Sequence, residues 1–260
     1  MKVVILAGGL GTRISEESHL KPKPMIEIGH YPILVHIMRI YGTQGFNDFV
    51  VCAGYKQQVI KEYFSNFDIY TNDVTFDFEN GERILHHKPK FDWKVTVANT
   101  GFKTMTAGRI LRAKEYIGEN EPFMLTYGDA VGDIDVNAVL ESHKKSKKLA
   151  TICVYNFGQN KGVVDIKSNG LVKRFREKSD LDGDLINIGF MVLEPGVFDY
   201  ITGDDCVLER DVLPKLAADG QLHSYIHHGF WQCMDTLREK TLLEELDASE
   251  NCPWKIWKKK

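Results

Sequence analysis

Residues 3–25 read VVILAGGLGTRISEESHLKPKPM. The apolar run at 3–6 shows no alternation, so it predicts a strand buried on both faces. It runs into Ala7-Gly8-Gly9-Leu10-Gly11-Thr12-Arg13. Three glycines let the main chain turn sharply and approach a ligand closely, with N–H groups facing a phosphate or a base edge. Arg13 and, ten residues on, Lys23 bring fixed positive charge to the same end of the sheet. Pro22 and Pro24 flank Lys23 and stiffen its loop. Two better-known phosphate loops are excluded. The chain contains no Gly-Lys pair, and after Gly9 and Gly11 the last position of GxGxxG is Ile14.

Outward from this stretch, strands and helices alternate. Pro32 opens a helix over 33–44, with Ile33, Ile37, Ile40 and Tyr41 on one face and Gly45 as its stop. Residues 48–54 (DFVVCAG) predict a second buried strand, and 57–64 its helix. This βαβα order implies a parallel sheet with right-handed crossovers. From 66 to 99 the pattern changes. Residues 74–78 alternate, Asn80-Gly81 is a turn signal, 83–87 continues as a strand and 94–100 alternates again. That predicts a hairpin excursion and an edge strand. A helix after 104–109, ending near Ile117-Gly118, leads to the apolar strand 122–127 and to Gly128-Asp129. An amphipathic helix over 133–145 and a strand over 150–155 follow. Next come a hairpin over 163–178, turning at Ser168-Asn169-Gly170, and a strand over 185–193. Helical stretches after Pro195 and Leu208, a strand over 222–228 and a closing helix over 237–246 complete the pattern. With no internal repeat or low-complexity linker, 1–260 reads as a single domain.

A chain of 260 residues can build one α/β domain with a sizeable core. Its net charge of −3 argues against a general nucleic-acid or membrane surface. The five cysteines, at 52, 153, 206, 233 and 252, are odd in number and form no CxxC, which suits reduced thiols in a cytoplasm. The apolar run before the glycines is too short for a signal peptide, and none approaches the ~20 residues of a membrane span. The expected location is cytoplasmic.

Asp129 follows the C-terminal end of a central strand, where open α/β sheets place ligands. A carboxylate there, opposite a cationic loop, suits a divalent metal that bridges phosphate oxygens. The competing reading is a turn or helix N-cap; the opening motif favours metal ligation.

LAGGLGTRISEE followed by KPKPMIEIG resembles the signature of the sugar-1-phosphate nucleotidyltransferases, in the form carried by glucose-1-phosphate cytidylyltransferases. The likeness runs nearly the whole length, to Trp254. It implies a mostly parallel, Rossmann-like open α/β sheet flanked by helices, with a β-hairpin excursion and a sugar-binding β element. It also implies a nucleotide-binding half over 1–130 and a sugar-binding half over 131–260. The implied reaction is attack of a sugar 1-phosphate on the α-phosphate of CTP, with Mg²⁺ held by Asp129 and Asp235. Arg13 would stabilise the leaving pyrophosphate and Lys23 would bind phosphate. Leu6, Ala7, Gly8, Gly9, Gly11 and Thr12 would cradle the nucleotide, together with Thr104, Arg109 and Gly128. Glu177, Lys178 and Asn187 would face the sugar. A homo-oligomer is implied, with the segment 208–211 as a candidate contact.

Several positions depart from that pattern: Ser179 for a proline, Ala130 for a glycine, Asn160-Lys161-Gly162 for Arg-Phe-Gly, and Ile188 for a glycine. They raise a second reading, a uridylyl- or other nucleotidyltransferase acting on a more acidic or modified sugar phosphate. A third reading, a non-catalytic nucleotide-binding relative, is disfavoured because Arg13, Lys23, Asp129 and Asp235 are all present. The pairs His86-His87 and His227-His228 are poor chelators, because neighbours on a strand face opposite ways. Trp231, Trp254 and Trp257 are expected to serve packing or subunit contact.

Overall fold

A computed structural model describes residues 1–11, 14, 19–87, 91–156, 163–166, 171–176 and 185–258. Strand β1 (Val3–Ala7) is buried along its whole length. Val3, Ile5 and Ala7 enter one apolar cluster, and Val4 and Leu6 enter the other, so the strand is covered on both faces. After the glycine loop come a single 3₁₀ turn, Lys23–Met25, and the two-residue strands β2 (Glu27–Ile28) and β3 (Tyr31–Pro32). Helix α1 (Ile33–Thr43) precedes β4 (Asp48–Ala53), and α2 (Gln57–Ser65) and α3 (Phe67–Thr71) follow it. Strands β5 (Val74–Asp77) and β6 (Glu82–Leu85) form the expected hairpin, and β7 (Lys94–Asn99) returns to the sheet. Helices α4 (Thr106–Arg112) and α5 (Lys114–Ile117) lead to β8 (Phe123–Tyr127), β9 (Ala130–Gly132) and α6 (Val136–Ser146). Strand β10 (Ala150–Asn156) is followed by the hairpin β11 (Val163–Ile166) and β12 (Val172–Arg176), then by β13 (Leu185–Leu193). Helical turns at Pro195–Tyr200 and Leu208–Val212 precede α7 (Leu213–Ala218). The order then runs β14 (Leu222–His227), β15 (Trp231–Cys233) and α8 (Leu237–Ala248).

Among the described residues seven strands form one sheet in the order β14-β10-β13-β8-β1-β4-β7. β1 pairs in parallel with β4 and β8, and β7 is a parallel edge strand beside β4. β13 alone runs antiparallel to its neighbours β8 and β10. The reason is the connection: β10 is followed by a hairpin rather than a crossover helix, and a parallel return needs the longer crossover. The outcome is the mostly parallel open sheet expected from the alternation.

Two ribbons have no counterpart in the sequence reading, β2–β3 and β9–β15. Strands of two or three residues are too short for alternation to register. Helix α1 also buries more than the expected stripe, since Leu34, Val35, His36 and Met38 are buried too. The C-terminal stretch closes over it: Trp254 Nε1–H donates to His36 Nδ1 at 3.2 Å, and His36 Nε2–H donates to Ile28 O at 2.9 Å. Trp254 is fully buried and stacks on Phe230, and Trp257 lies over the Arg39 guanidinium at 3.9 Å, which are packing roles.

Burial pushes the His36 imidazole down to about 4. The unfolded chain therefore binds a proton between pH 6.5 and about 4 that the fold excludes. His36 contributes its full stability above pH 6.5, and this is lost as pH falls towards 4. Thermal midpoints at pH 7.5 and pH 5 are expected to fall with acidification in the wild-type chain, and to fall less in His36→Gln.

Candidate active site

The loop after β1 is held from below by Arg109. Its Nη2 donates to Gly8 O at 3.0 Å and its Nη1 to Thr100 Oγ1 at 2.9 Å and Gly101 O at 2.7 Å. Gly8 O also accepts from Tyr55 N at 3.3 Å. The guanidinium passes so close that a Cβ on Gly8 would sit 2.2 Å from Nη1, and one on Gly54 2.3 Å from the same atom. Burial pulls the Arg109 guanidinium below its ordinary range. At Gly11 the chain takes φ of 64°, a left-handed conformation that glycine adopts without steric cost.

The KPKPM loop lies against the end of β8. Gly128 N donates to Leu6 O at 3.0 Å, and a Cβ on Gly128 would be 2.9 Å from Pro24 Cγ. A side chain here would push the loop away, so the glycine before Asp129 sets how closely Lys23 approaches. Lys23 Nζ lies 2.6 Å from Asp129 Oδ2 and 2.5 Å from Asp235 Oδ1. Burial lowers the affinity of this amine for its proton, but the two carboxylates outweigh it and hold the ammonium above the usual lysine range.

The two aspartates are 106 positions apart and meet through the β9–β15 ribbon. Ala130 pairs with Cys233 and Gly132 with Trp231, and Met234 N donates to Asp129 O at 2.8 Å. The competing capping role falls to the next residue. Thr236 caps α8 in a capping box with Glu239, whose Oε2 accepts from Thr236 N at 2.8 Å and from Asp235 N at 2.7 Å. The Asp235 carboxylate is left to face Lys23. Cys233, beside it, has its thiol pushed up to about 12 by burial and by Glu239, Asp235 and Asp129, so it stays protonated at neutral pH.

A cavity of about 640 Å³ opens at this end of the sheet, within the range of small-molecule sites. Leu6, Ala7, Gly8, Gly9 and Gly11 form one wall, Thr104 and Arg109 another, and Lys23, Gly128 and Asp129 the end. Asn187 stands on β13, beside Tyr127. Thr12, Arg13, Glu177 and Lys178 lie outside the described residues, as do the positions at 160–162 and 179. The side chains of Ala130 and Ile188 are buried and do not line the cavity, so these two departures from the pattern bear on packing. Among the described residues no cluster of three or more acidic, histidine or cysteine side chains is suited to a metal. His227, the last residue of β14, turns inward to Asp133 and Phe230 O, while His228 lies past the end of the strand and is exposed.

A model of the nucleotidyl transferase family matches residues 2–246. The chain belongs to the nucleotidyl transferase family. This nucleotidyl transferase is 48% identical to the glucose-1-phosphate cytidylyltransferase of Salmonella typhimurium (strain LT2), an alignment covering 99% of this chain and 100% of the relative. It is 42% identical to the probable glucose-1-phosphate cytidylyltransferase of Bacillus subtilis (strain 168), with 99% and 100% covered. Its fold is that of HddC from Yersinia pseudotuberculosis, with a TM-score of 0.67 at 23% identity over 94% of this chain and 98% of the other.

Sequence reasoning missed several cavity residues of the nucleotidyl transferase, Phe102, Lys103 and Tyr127, while Met105 and Thr106 fall in the stretch 104–109 it tied to base choice without giving them roles. Tyr127 had a signal, since it precedes Gly128-Asp129 at the strand end. The others are named only by the way α4 packs beneath the glycine loop.

Proposed function

We propose that this nucleotidyl transferase transfers the cytidylyl group of CTP to α-D-glucose 1-phosphate, giving CDP-glucose and pyrophosphate. The observation that carries this reading is the convergence of Asp129 and Asp235 on Lys23, with Lys23 and Asp129 lining the same cavity as the glycine loop. Relatives of nearly identical length named as glucose-1-phosphate cytidylyltransferases support the choice of base and sugar.

A phosphate oxygen of the sugar 1-phosphate bonds to the α-phosphorus as the bond to the β-phosphate oxygen breaks, and pyrophosphate departs. The nucleophile is already an anion at neutral pH, so the site needs no general base. The barrier is electrostatic, and the residues act by positioning and neutralising charge. Lys23 meets the phosphates, and Arg13 offsets charge on the leaving pyrophosphate. Amides of the glycine loop cradle the nucleotide, with Thr104, Arg109 and Gly128. Glu177, Lys178 and Asn187 hold the sugar phosphate. The half over 1–130 serves the nucleotide and the half over 131–260 the sugar.

Asp129 and Asp235 fit a divalent metal, which we assign as Mg²⁺. Their carboxylates converge on one cationic centre, here the Lys23 ammonium, and Mg²⁺ takes one or two carboxylates together with substrate phosphates. The chemistry the metal supplies when bound is neutralisation of phosphate oxygens. Asp129→Asn and Asp235→Asn are each expected to lower kcat by about 10²-fold or more. Each should also weaken Mn²⁺ binding in the presence of CTP, read by electron paramagnetic resonance.

Pyrophosphate release across four nucleoside triphosphates and several sugar phosphates tests the assignment. CTP with glucose 1-phosphate is expected to give the highest kcat/KM; a preference for UTP or for an acidic sugar phosphate would overturn it. Among the described residues no helix is long and apolar enough to cross a membrane. We place the enzyme in the cytoplasm, which the five free cysteines support. We propose a homo-oligomer, supported by the exposed Phe76, Phe78 and Ile84 on the β5–β6 hairpin.

A further inference from the structure

A chain of polar contacts joins two residues that line the cavity, and its centre lies in the segment 208–211 that the resemblance marked as a candidate subunit contact. Glu209 lies on the wide helical turn Leu208–Val212. Its Oε2 accepts from Thr106 Oγ1 at 2.8 Å, and its Oε1 accepts from the Tyr127 hydroxyl. Thr106 Oγ1 in turn accepts from Leu208 N at 2.8 Å, which ties the turn to the start of α4. On β13, Asn187 Oδ1 accepts from Gly189 N at 3.0 Å. Gly189, at φ of 83°, lies flat against the Tyr127 ring; a Cβ there would stand 2.2 Å from Cδ2.

Thr106 and Tyr127 line the cavity from different elements, and one carboxylate holds both. Glu209 itself is exposed. An exposed carboxylate loses little by staying in water, and bonds made at the surface return little stability. Holding this side chain in one rotamer costs entropy. The consequence of the arrangement is therefore geometric. It fixes the phenol ring between the metal-side residues Gly128-Asp129 and the sugar-side residue Asn187.

We propose that Tyr127 is a specificity-determining residue for the sugar phosphate, and that Glu209 is the positioning residue that sets it. Glu209 locks the ring and Asn187 in register with the wall that takes the nucleotide. This inference rests on the cytidylyl transfer proposed above.

Steady-state kinetics of the full chain separate the two. In Glu209→Ala, KM for glucose 1-phosphate is expected to rise about tenfold while KM for CTP stays within about twofold. Tyr127→Phe should give the same split. Because both act through one bond, the double variant should be no worse than Tyr127→Phe alone. Glu209→Gln keeps an acceptor for the phenol and should recover most of the loss; its thermal midpoint checks the fold. Equal rises in both KM values, multiplying effects in the double variant, or an unaltered Glu209→Ala would overturn the inference. Failure of the wild-type chain to release pyrophosphate from any substrate pair would instead overturn the reading of its activity.

Discussion

Lys23→Met is expected to lower kcat by about 10²–10³-fold, the range for removing one preorganised charge from a transition state that gains negative charge. A second effect is expected in the opposite direction. In the resting chain the Lys23 ammonium lies 2.6 Å from Asp129 and 2.5 Å from Asp235. A divalent cation reaching those carboxylates must compete with it. Without nucleotide, Lys23→Met should bind Mn²⁺ more tightly than the wild-type chain, on the order of tenfold, because two carboxylates have lost their counter-charge. With CTP present the order should reverse, since the phosphates then need the ammonium. Equal Mn²⁺ affinity in the two apo proteins would sink the competition. The pH dependence follows from the same pair. The Lys23 pKa is raised, so the stability it contributes is complete below the ordinary lysine value of 10.5 and is lost only as pH rises through the higher folded value. Acidification through neutrality should leave this ion pair intact.

What could be read in advance was local. The glycine loop, the buried first strand and the position of Asp129 each declare themselves within a few consecutive residues. Their structural readings agree: β1 is buried on both faces, and Gly128 is needed because Pro24 packs where a Cβ would be. Asp235 was readable only through resemblance. What brings it to Asp129 is the β9–β15 ribbon, and three-residue strands leave no periodicity to find. Arg109 shows a different limit. The resemblance puts it on the nucleotide side, yet the visible bonds of its guanidinium go to Gly8, Thr100, Gly101 and Phe102. No linear spacing reveals that a side chain is spent on shaping a loop. Glu209 was hidden for the same reason, because its partners are 82 and 103 residues away.

Gly8→Ala tests whether that support is necessary. The added Cβ would fall 2.2 Å from Arg109 Nη1 and 2.3 Å from its Cζ. A flexible side-chain end could ordinarily swing aside, but this one is confined. Gly54 leaves no room on the other side, where a Cβ would meet the same nitrogen at 2.3 Å, and the carbonyls of Gly8 and Gly101 hold the guanidinium in place. Displacing it would leave a buried cation without its acceptors, a change that costs about 3–5 kcal/mol. For a chain of this size that corresponds to a fall in thermal midpoint of roughly 6–20 °C, taking 2–4 °C per kcal/mol. Adding Arg109→Ala to Gly8→Ala removes the clash and the stranded charge together, so the double variant should be more stable than Gly8→Ala alone. Activity should not return with it, because only the 3.3 Å bond from Tyr55 N then holds the Gly8 carbonyl, and the guanidinium that fixes it and the amides beside it is gone. Recovery of both stability and turnover in the double variant would show that Arg109 merely fills space. Recovery of stability alone would place it among the residues that shape the nucleotide loop.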